Sequence, residues 1–301
     1  MILQRKRITK MKKSNIEPTP KTIIKQWEPQ DDSMLYYYCS ANSFMSIVKN
    51  KTLRFCDLYH MNDLSELKHG KIIYDQIIEN SKEFSDDIKT KIDIILKEFI
   101  IRSVLLSMSF SREKDLLSQW RGYADDAKGF CIGFKAKDFT NLPIHMLKVE
   151  YDFKKQFALI IDSMKKIESH IKNGIDKDNL HLICELQEIF SMMKNESFKE
   201  ECECRLIYPI YVDVDGDGKL FDVSKDNEEY HKYVHDIEFR LVGNTPTPYV
   251  DMDFTLGNRF MPLKEVIIGP KNRSMKSDIE LFLRTNGIYG AIISESLSSY
   301  R

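Results

Sequence analysis

Hydrophobic positions recur along the chain at two different periods, and the period changes from one segment to the next. Spacings of three and four residues, as between Ile88, Ile92 and Ile95, predict amphipathic helices. Short apolar or alternating runs, as at residues 104–110, predict strands. Helices are predicted after Ser40 or Asn42, after Asn62-Asp63 as far as residue 79, and at residues 86–101, 114–123, 153–172, 179–195 and 275–286. Strands are predicted at residues 34–39, 52–56, 104–110, 129–134, 202–214, 219–223, 266–269 and 291–294.

The order of these elements favours an α+β fold. Strands and helices follow one another without the regular alternation of βαβ units, so a doubly wound parallel sheet is not expected. We expect a mixed, mainly antiparallel sheet with helices packed around it. The two helices within residues 153–196 are expected to form a hairpin insertion that covers one end of the site. The turn Asp215-Gly-Asp-Gly218 between two strands predicts a β-hairpin.

Basic residues are concentrated at the N-terminus. Residues 1–26 contain eight lysines and arginines and one acidic residue, whereas the 301-residue chain has a net charge of −1. We expect residues 1–30 to form a disordered basic tail and residues 31–301 to form a single domain. The tail is then either a solvated segment or a binding segment for nucleic acid or a protein partner.

The composition indicates a cytoplasmic protein. No apolar run approaches the ~18 residues that a membrane span needs, and no apolar stretch follows the N-terminal charges as in a secretory signal. The six cysteines include no Cys-x-x-Cys pair and lie mostly in apolar segments, which is typical of reduced thiols. No membrane partner is expected.

Two sequence patterns resemble metal sites only in part. Asp213-x-Asp215-x-Asp217 matches half of a calcium loop but lacks the glutamate at the twelfth position. His231 and His235 have helical spacing but no evident third ligand. No metal is therefore expected. P-loop, Rossmann and nucleophile-elbow motifs are also absent from the sequence.

Three separate segments carry the residue types typical of a functional site. They are the aromatic strand with Tyr36 and Tyr38, the Ser109-Phe-Ser111 strand followed by Trp120 and Tyr123, and the segment Glu201-x-Glu203-x-Arg205. Alternation along a strand would place the two glutamates and Arg205 on one face, with the carboxylates about 7 Å apart. Arg205 would hold both carboxylates ionised. The alternative is an edge strand whose ion-paired face points into solvent.

Several motifs together resemble the bacterial domain-of-unknown-function 2971 family, from about residue 34 to the C-terminus. The motifs are Tyr36-x-Tyr38-x-Ser40, Asn62-Asp63-x-x-Glu66, Ser109-Phe-Ser111, Trp120-x-x-Tyr123-Ala124, Gly129-Phe-Cys-Ile-Gly-Phe134, Glu201-x-Glu203-x-Arg205, Val266-Ile-Ile-Gly-Pro270 and the ending Ser294…Tyr300-Arg301. The family has no assigned activity, so this resemblance implies no function.

A second resemblance does imply a chemistry. The order of an aromatic strand, a Ser-x-Ser strand and a Glu-x-Glu strand is similar to that of ADP-ribosyltransferases, which use NAD as substrate. This resemblance implies that Glu203 is the catalytic, ribose-binding carboxylate and that Glu201 orients the acceptor. Ser109 and Ser111 would shape the nicotinamide pocket.

The resemblance assigns further residues to substrate binding. Tyr36 or Tyr38 stands where those enzymes have arginine or histidine, and Arg54 is the nearest cationic substitute. Trp120 or Tyr123 would stack on the departing nicotinamide ring. The remaining candidates for the site are Asn62, Asp63, Glu66 and Arg205.

The leading hypothesis is therefore an NAD-consuming transferase or NAD glycohydrolase, and specifically a toxic effector of bacterial conflict or phage defence. Two alternatives remain open. A metal-dependent nuclease would gather a divalent cation with Asp63, Glu66, Glu201 and Glu203, since hard cations prefer such oxygen ligands. A binding or sensing module without catalysis would use the same cleft for recognition alone.

Overall fold

The computed structural model describes residues 26–58, 65–173, 181–214, 216–222, 232–255 and 261–300, without the side chains of residues 65–68, 99 and 181–184. The strands in these ranges are β1 (Met34–Cys39), β2 (Thr52–Asp57), β3 (Ser103–Ser111), β4 (Phe130–Lys135), β5 (His145–Lys148), β6 (Glu203–Val212), β7 (Leu220–Phe221), β8 (Glu238–Val242), β9 (Thr245–Asp253), β10 (Leu263–Ile268) and β11 (Ile292–Glu295). The α-helices are α1 (Ala41–Asn50), α2 (Ser65–Asn80), α3 (Asp86–Arg102), α4 (Leu117–Tyr123), α5 (Phe153–Lys172), α6 (His181–Ser191) and α7 (Lys276–Thr285).

These strands form one sheet, which confirms the predicted α+β class. The order is β11-β10-β4-β1-β3-β2-β9-β8, and β6 pairs with β3 while β5 and β7 pair with β6. The pairing of β10 with β11 is parallel, and the other strand pairs are antiparallel. The sheet is therefore mixed and mainly antiparallel, as expected.

Strand β3 is the branch point of this sheet. One of its edges pairs with β6 from Ser103 to Ser111. The other edge is shared, because β1 pairs with it at Ser111 and β2 pairs with it at Leu106 and Ser107. The β1 and β2 groups of strands therefore separate along β3 and leave residues 108–110 between them.

Helices cover both faces of the sheet, because each helix has one apolar stripe to bury. Helices α1 and α7 pack on one face around a core that contains Phe44, Phe110 and Phe134. Helices α2, α3, α5 and α6 pack on the other face over a second core, which reaches β3 at Leu105 and β6 at Ile207. Helix α4 packs on this second face beside β1.

Several local predictions are confirmed. Ser40 caps α1 by accepting a hydrogen bond from the Ser43 backbone N–H at 3.2 Å. The hairpin of β6 and β7 and the helical hairpin of α5 and α6 both form.

In the described ranges no helix is long and apolar enough to cross a membrane.

Three strands were not predicted from the sequence. Strand β5 has four residues, and β8 and β9 form a hairpin that contains Pro246 and Pro248. Proline removes a backbone donor and so weakens the strand pattern, but it is tolerated near strand ends and sheet edges. The basic tail at residues 1–25 lies outside the described residues, and Trp27 already packs on β5 through a 2.8 Å hydrogen bond from its N–H to the Met146 carbonyl.

Candidate functional site

A cleft of about 490 Å³ opens where the sheet separates along β3. Its lining includes Tyr37 and Met108, which belong to the first face, and Tyr36 and Ser109, which belong to the second. The cleft therefore passes between the β1 and β2 groups and is not a groove on one surface. A volume of several hundred Å³ is typical of small-molecule sites.

The separation of the strands also presents backbone groups to the cleft. The Arg112 N–H bonds to the Cys202 carbonyl at 3.0 Å, so even-numbered residues of β3 direct their N–H and C=O groups towards β6. By alternation, the N–H and C=O of Ser109 point towards the opposite edge, into the gap between β1 and β2. A ligand in the cleft would therefore meet a backbone donor and acceptor at Ser109.

The pairing of β3 with β6 brings two of the three predicted segments together. Ser109 lies opposite Arg205, and Ser111 lies opposite Glu203. The Ser109 hydroxyl lies close enough to the Glu203 carboxylate to lower its pKa, and the Ser111 hydroxyl donates to the Glu201 carbonyl at 2.8 Å. The acidic pair and the two serines thus lie side by side on one wall of the cleft, whereas the sequence hypothesis has them facing each other across it.

The expected placement of Glu201 on the strand is wrong. Glu201 ends a 3-10 helix (Glu196–Glu201), and β6 begins only at Glu203. Cys202 between them has left-handed backbone torsions, with φ of 47°. This turn, rather than strand alternation, lets both carboxylates bind the same cation.

That cation is Lys194, which the sequence analysis did not identify. Its Nζ bonds to Oε2 of Glu201 and, at 3.1 Å, to Oε2 of Glu203. Arg205 binds Glu203 through two hydrogen bonds, from Nε to Oε1 at 2.7 Å and from Nη2 to Oε2 at 3.1 Å. The two glutamates are thus neutralised by two cations.

Most of this network is removed from water. Arg205 is completely buried, and its Nη1 also donates to the Ser191 carbonyl at 2.6 Å. Burial alone would raise the pKa of Glu203, but the charges of Arg205 and Lys194 and the bonds from Arg205 and Ser109 lower that pKa to about 2. Glu203 is therefore ionised at neutral pH.

The backbone around Lys194 explains its position. Lys194 follows α6, and its N–H donates to the Glu150 carbonyl at 3.2 Å. The Gln156 amide of α5 donates to the carbonyls of Glu150 and Lys194 at 2.6 and 2.8 Å. The helical hairpin therefore delivers a cation to the cleft, and a single lysine after a helix carries no sequence signal for this role.

The alternative of a solvent-facing edge strand is wrong. Strand β6 pairs with β3 on one edge and with β5 on the other, so it lies inside the sheet. Glu203 and Arg205 are both buried. Their face points towards the cleft and the helical layer, not towards bulk solvent.

Tyr36 and Tyr38 both line the cleft, and both side chains are largely buried. The Tyr38 hydroxyl donates to the Glu113 carbonyl at 3.3 Å and accepts from the Leu116 N–H at 2.9 Å, so it fixes the start of α4. Burial raises the pKa of Tyr36 to about 12, and the charge of Glu265 adds to this effect. Both side chains are therefore neutral phenols at physiological pH.

The expectation that Trp120 stacks on a ligand is wrong. Trp120 is completely buried, with its ring edge-on to Tyr38 and its Nε1 donating to Asp115 at 2.8 Å. Asp115 also binds the C-terminal segment through the Ser296 hydroxyl and, at 2.7 Å, the Leu297 N–H. Trp120 thus fixes the position of α4, and other residues of α4 line the cleft.

Tyr123 is the aromatic residue of α4 that faces the cleft. Its side chain is 44% exposed, and its hydroxyl donates to Oε1 of Glu201 at 3.3 Å. Gln119, also on α4, lines the same wall. Of the two aromatic candidates, the structure therefore favours Tyr123 for contact with a ligand.

Arg54 lines the opposite side of the cleft and is paired there. It forms a two-point ion pair with Asp251, at 2.9 and 2.7 Å, and its guanidinium lies 3.8 Å from the Tyr249 ring centroid. Asn62 and Asp63 lie outside the described residues, and Glu66 lies in α2 without a described side chain. The structure therefore does not place these three side chains relative to the cleft.

The acidic residues do not form a metal cluster in the described ranges. No group of three or more histidine, cysteine, aspartate or glutamate side chains there could hold a metal ion. Lys194 occupies the position between Glu201 and Glu203 that a bridging cation would take. Asp215 and His231 of the two partial motifs lie outside the described residues.

Comparison with known proteins gives one match. The family model described as "Protein of unknown function (DUF2971)" matches residues 119–206. This region begins on α4 and ends on β6, so it contains Tyr123, Lys194 and the acidic pair. The resemblance inferred from the sequence is confirmed there. No curated protein and no solved structure matches the chain.

Proposed function

We propose that this protein, which carries the DUF2971 region, is an ADP-ribosyltransferase-like enzyme that consumes NAD. The observation that carries the proposal is the pairing of the Ser-x-Ser strand with the start of β6, which brings Ser109, Ser111 and the ionised Glu203 to the lining of one cleft. A fixed carboxylate of this kind stabilises the positive charge that develops on the ribose as a glycosidic bond breaks.

The reaction breaks the bond between C1′ of the ribose and the nicotinamide nitrogen. The electron pair of that bond leaves with nicotinamide, which becomes neutral, and the ribose becomes an oxocarbenium-like cation. Water or an acceptor nucleophile then attacks C1′ and releases a proton. A carboxylate near C1′ lowers the barrier, because its charge interacts more favourably with the developing cation than with the ground state.

The two glutamates divide this task in the proposal. Glu203, held ionised by Arg205 and Lys194, would bind the ribose and stabilise its positive charge. Glu201, which lies closer to the exposed Tyr123, would orient the water or acceptor. Tyr123 would also contact the departing nicotinamide ring.

Ser109 contributes twice in this arrangement. Its hydroxyl lies close to the Glu203 carboxylate and lowers the pKa of that group, and its backbone N–H and C=O point into the gap between β1 and β2. A carboxamide can bond to a paired donor and acceptor of this kind. The nicotinamide end of NAD would therefore lie against β3.

The test measures nicotinamide release from NAD by the full chain. Glu203→Gln is a poor first variant, because it would leave Arg205 buried with a weakened partner and would threaten folding. Ser109→Ala keeps the Glu203–Arg205 pair and is expected to lower kcat about 10- to 100-fold. Glu201→Gln is expected to lower the transfer rate by a similar factor. Glu200→Gln, an exposed neighbour on the same 3-10 helix, is the matched control and should leave kcat unchanged.

Other outcomes would replace the proposal. If NAD is stable but DNA or RNA is cleaved in a magnesium-dependent way, the protein is a nuclease. If neither reaction occurs and a ligand still binds the cleft, the protein is a recognition module. Loss of activity in the Glu200 variant equal to that in Ser109→Ala would contradict the assignment of the site.

The proposed biological role follows from the chemistry. An enzyme that consumes NAD would be toxic inside a cell, which suits an effector of bacterial conflict or phage defence. The basic tail would direct it to nucleic acid or a protein partner. Expression of the wild type should lower cellular NAD, and deletion of residues 1–25 should weaken nucleic-acid binding in a salt-dependent way.

A further inference from the structure

The end of the cleft formed by β2, β8 and β9 carries a cation without a partner. Arg240 on β8 lines the cleft, and in the described part of the chain it makes no ion pair or hydrogen bond. The nearby acids are occupied, since Asp251 binds Arg54 and Glu238 accepts from the Tyr249 hydroxyl. The charge of Arg240 is therefore available to a ligand.

The strand register shows which residues surround this cation. Arg240 lies opposite Thr247, Cys56 lies opposite Tyr249, and Cys56 also lies opposite Ser107. Paired residues of neighbouring strands share a face, so Arg240, Cys56 and Ser107 all face the same side of the sheet. Burial raises the pKa of the Cys56 thiol, and the nearby charge of Arg240 opposes that effect, which indicates that the guanidinium reaches towards Cys56.

Ser107 of β3 is a second polar group in the lining of the cleft. Its side chain is only 1% exposed, and its Oγ has no hydrogen-bond partner among the described residues. Leaving a buried hydroxyl unbonded is unfavourable, so such a group in a cleft indicates a missing ligand atom. Strands β2 and β9 lie between Ser107 and Arg240, so a ligand that meets both extends across these strands. A hydroxyl donor and a guanidinium in one cleft are together suited to an oxyanion.

We infer that Arg240 and Ser107 form an anion-binding subsite for a phosphate or diphosphate group. The identification of that group as the diphosphate of a dinucleotide rests on the proposed function. Arg240 lies on β8 and Ser107 lies on the part of β3 that pairs with β2, whereas Glu203 lies on β6 at the other edge of β3. A dinucleotide would then span the cleft, with its diphosphate at Arg240 and its nicotinamide riboside at the acidic pair.

Arg54 belongs to this subsite as a supporting residue. Its two hydrogen bonds to Asp251 leave its charge compensated, so the sequence-based choice of Arg54 as the substrate cation is less favoured than Arg240. Arg240 was missed because it lies in the proline-containing β8–β9 hairpin, where no strand was predicted.

Binding of pyrophosphate to the full chain tests the subsite without any reaction. Isothermal titration should show pyrophosphate binding that weakens with added salt. Arg240→Gln should weaken it at least about tenfold, which is the loss expected for one charge-assisted interaction, and Ser107→Ala should weaken it several-fold. Arg240→Lys should restore part of the affinity, and Arg284→Gln, on the exposed side of α7, should leave it within about twofold of wild type.

Kinetics then separate this inference from the proposed function. Arg240→Gln should raise the KM for NAD about tenfold with little change in kcat, and it should not change the KM for nicotinamide riboside, which has no phosphate. If pyrophosphate does not bind, or binds equally to the Arg240 variant, the subsite is refuted even where NAD is cleaved. If NAD is not cleaved but pyrophosphate binding depends on Arg240, the proposed function fails and the subsite stands.

Discussion

The two walls of the cleft use charge in opposite ways. On the β3–β6 wall, Glu201, Glu203, Lys194 and Arg205 are bonded to one another and largely withdrawn from water. On the other wall, formed by β2, β8 and the part of β3 that pairs with β2, Arg240 is exposed and has no partner among the described residues, and the Ser107 hydroxyl is buried without one. The polar groups of the first wall are satisfied by one another, whereas those of the second wall would be satisfied by a ligand. Stability and binding should therefore depend on different walls.

The largest expected effect comes from breaking the buried ion pair. Arg205→Met should lower the free energy of unfolding by about 3–5 kcal/mol, because Glu203 would remain buried with only Lys194 as a cationic partner. Arg54→Met is the comparison, since its pair with Asp251 is partly exposed and should contribute less than about 1 kcal/mol. Urea unfolding of both variants measures the difference. Equal losses would show that the two walls do not differ in this respect.

Lowering the pH tests the same difference between the two walls. The pKa of Glu203 is lowered from 4.5 to about 2 in the folded protein, so its contribution to stability is complete above pH 4.5 and is lost as the pH falls towards 2. Between pH 6 and pH 3, the wild type should lose about 2 kcal/mol more than the double variant Glu203→Gln/Arg205→Met, which lacks the charged pair. Parallel pH profiles of the two proteins would contradict the depressed pKa.

The smallest expected effect has the opposite sign. Ser107→Ala should raise the free energy of unfolding by about 1 kcal/mol, because it removes a buried hydroxyl without a partner. Ser109→Ala removes a hydroxyl close to the Glu203 carboxylate, two residues along the same strand, and should lower the free energy of unfolding by about 1 kcal/mol. Thermal unfolding at neutral pH compares the two alanine variants. A loss of stability in Ser107→Ala would show that this hydroxyl is satisfied within the protein.

Sequence reasoning succeeded where a local pattern determines a local structure. The periodicity of residues 153–172 predicted α5 with the bounds that the structure has, and the cap of α1 is Ser40, one of the two candidates that the sequence left open. The serine strand and the acidic segment were also expected to meet, and the pairing of β3 with β6 brings them together. The family model matches residues 119–206, which contain several of the motifs that resemble the family.

The errors concern features that depend on distant parts of the chain. Trp120 is of a residue type that often stacks on ligands, but its contacts with Tyr38 and Asp115 bury it. Lys194 and Arg240 reach the cleft only because a helical hairpin and a proline-containing strand pair place them there. Periodicity carries no information on such long-range placement, and one basic residue among many cannot be singled out by its type.

The position of Asp115 has a consequence for how the protein is made. This residue connects Trp120 of α4 to Ser296 and Leu297, which lie about 180 positions later in the chain. Strands β10 and β11 also join the sheet beside β4 from late in the sequence. A nascent chain therefore completes the α4 wall of the cleft only after about 180 further residues beyond Asp115 have been synthesised and have left the ribosome.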